Sequence, residues 1–430
     1  MMDTATELPA RSKVQRSFHT QVVFGTSFTF LTSGVFLSGL AMYMGASDLL
    51  VSYISMIANI CGISILLFSS FMERFRSFKK ITIGLTALSK FATLLIVLIP
   101  VFVPENLQIL IFIPVMVAAF TLQAQTTVVL NNWMVTFVEE KKSGRYIAGR
   151  QTFVLAVTVI LSLAGGRLLD AVSGAYIGFA LLFTAAMFMA VIEIMVLLRI
   201  PDADQKKTMI KKSRFSDMVR IPMKSHRFLA FVVYIFLFYL MLSIADSFTV
   251  VYMMRYLQLS YLTTTGMQML ISLPQIFLLG FWGKVSDRRG HQFALTASIW
   301  FFTGETFFMA LSNSHNFYVL IPVAFLFASA ANAGFMVSVF NRRYELMPRE
   351  GRILYDNFYS AAVGLAFILG PVIGGGVKRL LESSPWVSEV IQFGNIRILY
   401  AVSTAAIILL QVLMLSAKNK DSKITLEGGC

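Results

Sequence analysis

The chain is built from apolar runs of roughly 20–30 residues, each long enough as a helix to cross a hydrocarbon core about 30 Å thick. Charge is confined to short bursts between the runs. They predict about twelve spans, near residues 18–43, 48–72, 79–103, 106–134, 148–170, 175–199, 228–256, 261–282, 292–312, 316–341, 357–380 and 393–417. With 57% of residues hydrophobic and 13% charged, an ordinary soluble domain is excluded. Met1 to Lys13 is polar and the first apolar run is too long for a leader's core, so no cleavable signal peptide is expected. The expected fold class is an all-α membrane protein.

The formal net charge of +14 raises nucleic acid as a partner, but its placement argues against that. Alternate loops carry nearly all of it, among them Arg74/Arg76/Lys79/Lys80, Lys141/Lys142/Arg145, Lys206/Lys207/Lys211/Lys212/Arg214 and Lys418/Lys420/Lys423. The intervening loops, near Asp48, Glu105, Asp170 and His315, are poorer, and only Lys378/Arg379 breaks the pattern. The positive-inside rule then puts both termini and the central loop in the cytoplasm, which requires an even number of spans in the cytoplasmic membrane. Basic residues beside the bilayer also attract anionic lipid, at about 1 kcal/mol each.

The runs divide into an N-terminal half (1–200), a basic linker (201–227), a C-terminal half (228–417) and a tail (418–430). The halves echo one another. Gly283-Lys284-Val285-Ser286-Asp287-Arg288-Arg289-Gly290 joins two spans, and a degraded copy, Ser69-Ser70-Phe71-Met72-Glu73-Arg74, joins two spans in the first half. A charged loop follows the fourth span of each half, at Glu139–Tyr146 and Pro348–Ile353. Gly165-Gly166-Arg167 and Gly375-Gly376-Val377-Lys378 close the fifth spans. In the Asp-Arg turn, Gly283 and Gly290 are expected to let backbones pack and reverse, and Asp287 to accept bonds from helix N-termini and from Arg288.

Gly-x-x-x-Asp-Arg-x-Gly between paired spans resembles the loop motif of the major facilitator superfamily of secondary transporters. Trp133 closing span four, followed by Glu139-Glu140 and Gly144-Arg145-Tyr146 with Arg150, is similar to a pattern in many bacterial members. Val138 and Ser143 depart from it. The resemblance implies two pseudo-symmetric six-helix halves related by an axis along the membrane normal, alternating access, and a cavity lined by spans one, four, seven and ten. Gly370-Pro371-Val372-Ile373-Gly374-Gly375 in span eleven offers a small-residue face with a proline, suited to a gate. The in-span arginine of drug antiporters is missing near Gln123, which sets the chain apart from them.

Ionisable groups at membrane depth cost at least about 2.5–3.5 kcal/mol at a helix centre, so they mark candidate sites. Asp246, within Ser243-Ile244-Ala245-Asp246-Ser247 of span seven, leads as a substrate or proton ligand. Lys90 and Glu305 are possible buried charges in pseudo-equivalent spans three and nine, where a paired or snorkelling role is also open. Glu193 reads as interfacial. Polar candidates on the presumed cavity spans are Thr29, Ser33, Gln123, Gln125, Asn131, Trp133, Tyr239 and Asn332. Thr29/Ser33 and Gln123/Thr127 stand at i,i+4 and so share a helix face. Trp133 and the tyrosines offer stacking surfaces for a flat or cationic solute. The same polar residue types also join membrane helices to one another.

Two cysteines and four scattered histidines give neither a bridge nor a metal framework, and no phosphate-binding glycine loop is present. No cofactor, metal or enzymatic chemistry is expected. The expected function is secondary active transport of a small neutral or cationic organic solute, coupled to a proton or other ion, by a monomer. The alternatives are efflux of amphipathic compounds, or a lipid scramblase or transporter-like receptor without a coupled cycle.

Overall fold

The computed structural model describes residues 4–64, 77–135, 137, 143–172, 175–202, 215–348, 352–383 and 393–427. In chain order its helices are α1 Thr4–Leu31, α2 Gly34–Tyr43, α3 Asp48–Cys61, α4 Phe78–Phe102, α5 Glu105–Val135, α6 Ser143–Ala171 and α7 Tyr176–Arg199. After the short α8 Phe215–Met223 come α9 His226–Asp246, α10 Tyr261–Arg289, α11 His291–Leu311, α12 Phe317–Leu346, α13 Arg352–Glu382 and α14 Gly394–Glu427. Eleven helical segments among the described residues are long and apolar enough to cross a membrane, and α3 is a shorter apolar helix. The protein is a multi-pass membrane protein. Large apolar side chains on the outside, such as Phe277 at 81% and Phe102 at 75% exposed, would be costly in water and are at home against lipid.

Two spans are interrupted. Span one breaks at Thr32-Ser33: Ser33 is extended and Gly34 has φ +54, a conformation that favours glycine. Span seven ends its α-helix at Asp246, and a helical turn at Thr249–Val251 and a π-helical turn at Tyr252–Tyr256 follow. Because Ser33 is outside helical geometry, the shared face expected for Thr29 and Ser33 does not form.

The chain forms two compact units: Met1–Met218 with Leu259–Gly266, and Val219–Gln258 with Met267–Cys430. The first turns of α10 thus cluster with the first unit. There Asp170, at the end of α6, accepts the backbone N–H groups of Tyr261 at 2.8 Å and Leu262 at 2.9 Å, donors that a helix start otherwise leaves unpaired. Gly166 permits this approach, since a Cβ on it would stand 2.8 Å from Leu262 Cα.

In the first unit α1 packs on α6 and α7, and α4 on α5 and α7. In the second, α9 packs on α13 and α14, and α11 on α12 and α14. The second unit's core is aromatic, with Phe228 and Phe238 fully buried beside Ile299 and Ile407. Gly370 and Gly374 bring α13 against α9, where a Cβ would collide with Ser243 and with the Ile244 carbonyl.

Candidate functional site

The first unit holds a buried ion pair. Lys90 Nζ on α4 lies 3.2 Å from Glu193 Oε2 on α7, with both side chains under a tenth exposed. Gln21 Nε2 on α1 donates to Glu193 Oε1 at 2.7 Å. The Lys90 ammonium also sits 3.6 Å from the centroid of the Phe28 ring. Glu193, expected near the cytoplasmic end of its span, is therefore buried within the protein and held by partners from two other spans. Nothing in its sequence neighbourhood signals this, because the lysine lies 103 positions away.

Polar candidates of the first unit separate into two kinds. Gln123 Nε2 on α5 donates to Thr29 Oγ1 on α1 at 2.5 Å, and both side chains are partly exposed. Gln125, by contrast, is buried and donates to Ser64 Oγ at 2.7 Å, a helix-to-helix bond. Asn131 Oδ1 accepts from Arg150 at 3.4 Å. Trp133, expected to offer a stacking face, is fully buried: its ring meets Phe18 edge-on and its indole N–H donates to Pro201 O at 3.3 Å.

In the second unit Asp246 ends α9 at the helix break, partly buried. Thr249 Oγ1 donates to Asp246 Oδ1 at 3.2 Å and itself lies 2.7 Å from the Tyr400 hydroxyl on α14. Glu305 on α11 is 7% exposed. Thr404 Oγ1 donates to Thr306 Oγ1 at 2.8 Å, tying α14 to α11 beside Glu305. Thr249 and Tyr400 were not visible as site residues in the sequence. Thr249 stands three positions after Asp246, a spacing that would have flagged it, but span twelve falls outside the cavity that the resemblance implies.

Tyr239 packs among Phe238, Phe335 and Phe367. Asn332 Nδ2 donates to the Ala328 carbonyl in its own helix at 2.8 Å and remains partly exposed. Between α12 and α13, Arg343 Nε stands 3.2 Å from Asp356 Oδ1, its guanidinium 4.6 Å from the Tyr359 ring. Among the described residues no three His, Cys, Asp or Glu side chains are grouped to hold a metal.

The Asp-Arg turn differs from expectation. Gly290 does reverse the chain at φ +88, but Gly283 lies within α10, and a Cβ there would meet no atom within 4 Å. Asp287 and Arg288 are exposed, and no bond joins Asp287 to a helix N-terminus among the described residues. The turn is closed instead by Ser286 Oγ and His291 Nδ1, 2.6 Å apart. Glu73 and Arg74 lie outside the described residues. Gly370 supplies the close α9 contact, and Pro371 sits within α13 without an N–H to donate.

A family profile described as the Major Facilitator Superfamily matches residues 21–299 and 235–427. The chain is similar in fold to a D-xylose-proton symporter, with a TM-score of 0.69 at 12% identity over 94% of this chain and 96% of that one. The nucleoside transporter NupG gives 0.64 at 12% identity, covering 94% and 98%. A bacterial homologue of the iron transporter ferroportin in its inward-facing state gives 0.64 at 14%, covering 94% and 98%. No curated protein sequence matches.

Proposed function

We propose, for a chain that belongs to the Major Facilitator Superfamily, secondary active transport of a small neutral or cationic organic solute across the cytoplasmic membrane, with protons as the coupling ion. Both termini are then cytoplasmic, as the basic loops require.

The observation that carries this reading is the pair of matched breaks in spans one and seven. Thr32 and Asp246 are 214 positions apart, the same separation as Glu73 and Asp287 in the two Asp-Arg turns. Interrupted helices at corresponding positions of two halves are where transporters of repeated architecture place their sites. Unwound backbone at membrane depth is tolerated where it borders a cavity or is covered by protein.

Each half presents polar groups that stay partly exposed although they make contacts within and between helices. In the first these are Thr29 and Gln123, in the second Asp246, Tyr239 and Asn332, all partly exposed. No arginine lies within α1 near its break, in the middle of α5, or in α9 beyond Arg227, which favours neutral or cationic solutes over phosphorylated ones. Alternating access requires a solute or proton to bind the two states unequally.

The test is solute accumulation in proteoliposomes under an imposed pH gradient, with pooled sugars, nucleosides, peptides and cationic dyes. Accumulation of one pool, weakened in Gln123→Ala through a raised KM, is expected. Well-folded protein that moves none of the pools would refute the reading.

A further inference from the structure

Span eight is outside the four spans that the resemblance makes cavity-lining, yet its helix, α10, carries a polar face. Thr264, Gln268, Ser272, Gln275, Trp282 and Ser286 follow one another at steps of three, four or seven, so they share one side of the helix. Leu273, Phe277 and Phe281, all exposed apolar side chains, line the opposite side, which suits lipid. Resting on the transport reading above, we propose that Gln268, Ser272 and Gln275 form a solute-binding strip, and that the solute is uncharged, rich in hydroxyl groups and about two linked rings long.

The face is open only in its middle, where it is polar. At the first turns Thr264 is fully buried, and the neighbouring Thr265 hydroxyl donates to Ser162 O at 2.9 Å. At the last turns Trp282 packs with Ala294 and Ala333, so close to α12 that a Cβ on Gly334 would stand 2.6 Å from its ring. Ser286 is buried against His291. Between these covered ends Gln268, Ser272 and Gln275 are partly exposed, and none of the three side chains hydrogen-bonds to another described residue. Thr264 adds a buried hydroxyl without a partner, one turn before Gln268. Amides that join helices find partners across the interface, as Gln125 does with Ser64. Two amides and a hydroxyl left bare against hydrocarbon are costly, whereas water or a polar solute satisfies them. Pro274, inside the strip, has no N–H to give the Leu270 carbonyl, a gap tolerated at membrane depth where water or polar groups reach it.

The chemistry of the strip selects the solute. From Tyr261 to Gly283 the chain has no Asp, Glu, Lys, Arg or His, so neither a cation nor an anion finds a counter-charge on α10 there. Each glutamine amide offers two donors and an acceptor, and the serine hydroxyl donates and accepts. Solute hydroxyls, which also do both, are their complement. Gln268 and Gln275 are seven residues apart, roughly 10 Å along the helix axis. Two linked rings, as in a disaccharide or a nucleoside, match that length better than a single sugar ring.

Equilibrium binding of tritiated uridine, sucrose, glucose and choline to the purified full-length chain tests the strip without requiring transport. Uridine or sucrose is expected to bind about tenfold or more tightly than glucose or choline. Gln268→Leu and Gln275→Leu should each weaken that binding by about tenfold, Gln275→Asn by less, and Phe277→Leu on the lipid side not at all. In a Cys430→Ser background, Ser272→Cys should react with a water-soluble thiol reagent and be protected by the bound probe. Unchanged affinity in Gln268→Leu/Gln275→Leu overturns the proposal, as does tighter binding of glucose or choline. Well-folded protein that binds neither two-ring probe overturns it as well. An inert Ser272→Cys means that another helix covers the strip, and has the same consequence. Should the double variant fail to fold, judged by its unfolding midpoint, Gln275→Asn and the thiol reaction decide. Uridine or sucrose bound through the strip but never moved into proteoliposomes keeps the site and refutes transport. A solute accumulated with unchanged KM in the double variant keeps transport and refutes the strip.

Discussion

Lys90 and Glu193 meet 3.2 Å apart inside the first unit, and the Gln21 amide takes the other carboxylate oxygen. A buried pair of this kind adds little net stability compared with apolar residues, but removing one partner strands the other. Lys90→Met is therefore expected to destabilise the protein by about 3–5 kcal/mol. Lys90→Met/Glu193→Leu should recover most of that loss. Thermal unfolding in detergent reads both, and an unchanged midpoint for Lys90→Met alone would mean that the pair is solvated.

Gly25 is the opening that admits this carboxylate. A Cβ there would stand 2.5 Å from Glu193 Oε1 and 3.0 Å from Gln21 Nε2. Gly25→Ala should cost about 1–3 kcal/mol by overpacking, despite alanine's better helix propensity. A raised unfolding midpoint in this variant would show that the pair can move aside.

Asp170 caps α10 through two backbone N–H groups. Asp170→Ala should lose about 1–2 kcal/mol and speed hydrogen exchange at Tyr261 and Leu262, whereas Asp170→Ser should retain part of the cap. Equal exchange in wild type and Asp170→Ala would sink the assignment.

Trp133 and Gln123 are expected to part company in kinetics. Trp133→Phe removes the indole bond to Pro201 and should cost about 1 kcal/mol of stability with solute KM unchanged. Gln123→Ala should raise KM with little loss of stability. A KM change in Trp133→Phe at normal stability would return the tryptophan to the solute path.

At the turn after α10, Gly290→Ala must adopt φ +88 and should lose about 1–2 kcal/mol, while exposed Asp287→Asn should stay within about 0.5 kcal/mol of wild type. Comparable losses for both would restore Asp287 as a structural ligand of the turn.

Hydropathy alone determined that this chain crosses a membrane many times as helices, because each run must match the hydrocarbon thickness and satisfy its own backbone. The repeated motifs made the family legible before any coordinates. Asp246 stood out for the same reason: a carboxylate within an apolar run is costly wherever its partners lie. Only the tertiary structure decided what surrounds it. Lys90 finds Glu193, and Asp246 joins Tyr400, across separations of 103 and 154 positions, which local patterns do not encode. The breaks at Ser33 and after Asp246 were hidden as well, since a small polar residue inside an apolar run fits a continuous helix equally well. Trp133 and Gln125 could equally have faced solute or neighbouring helices, and it was the packing of α5 against α1, α3 and the Pro201 carbonyl that turned them inward.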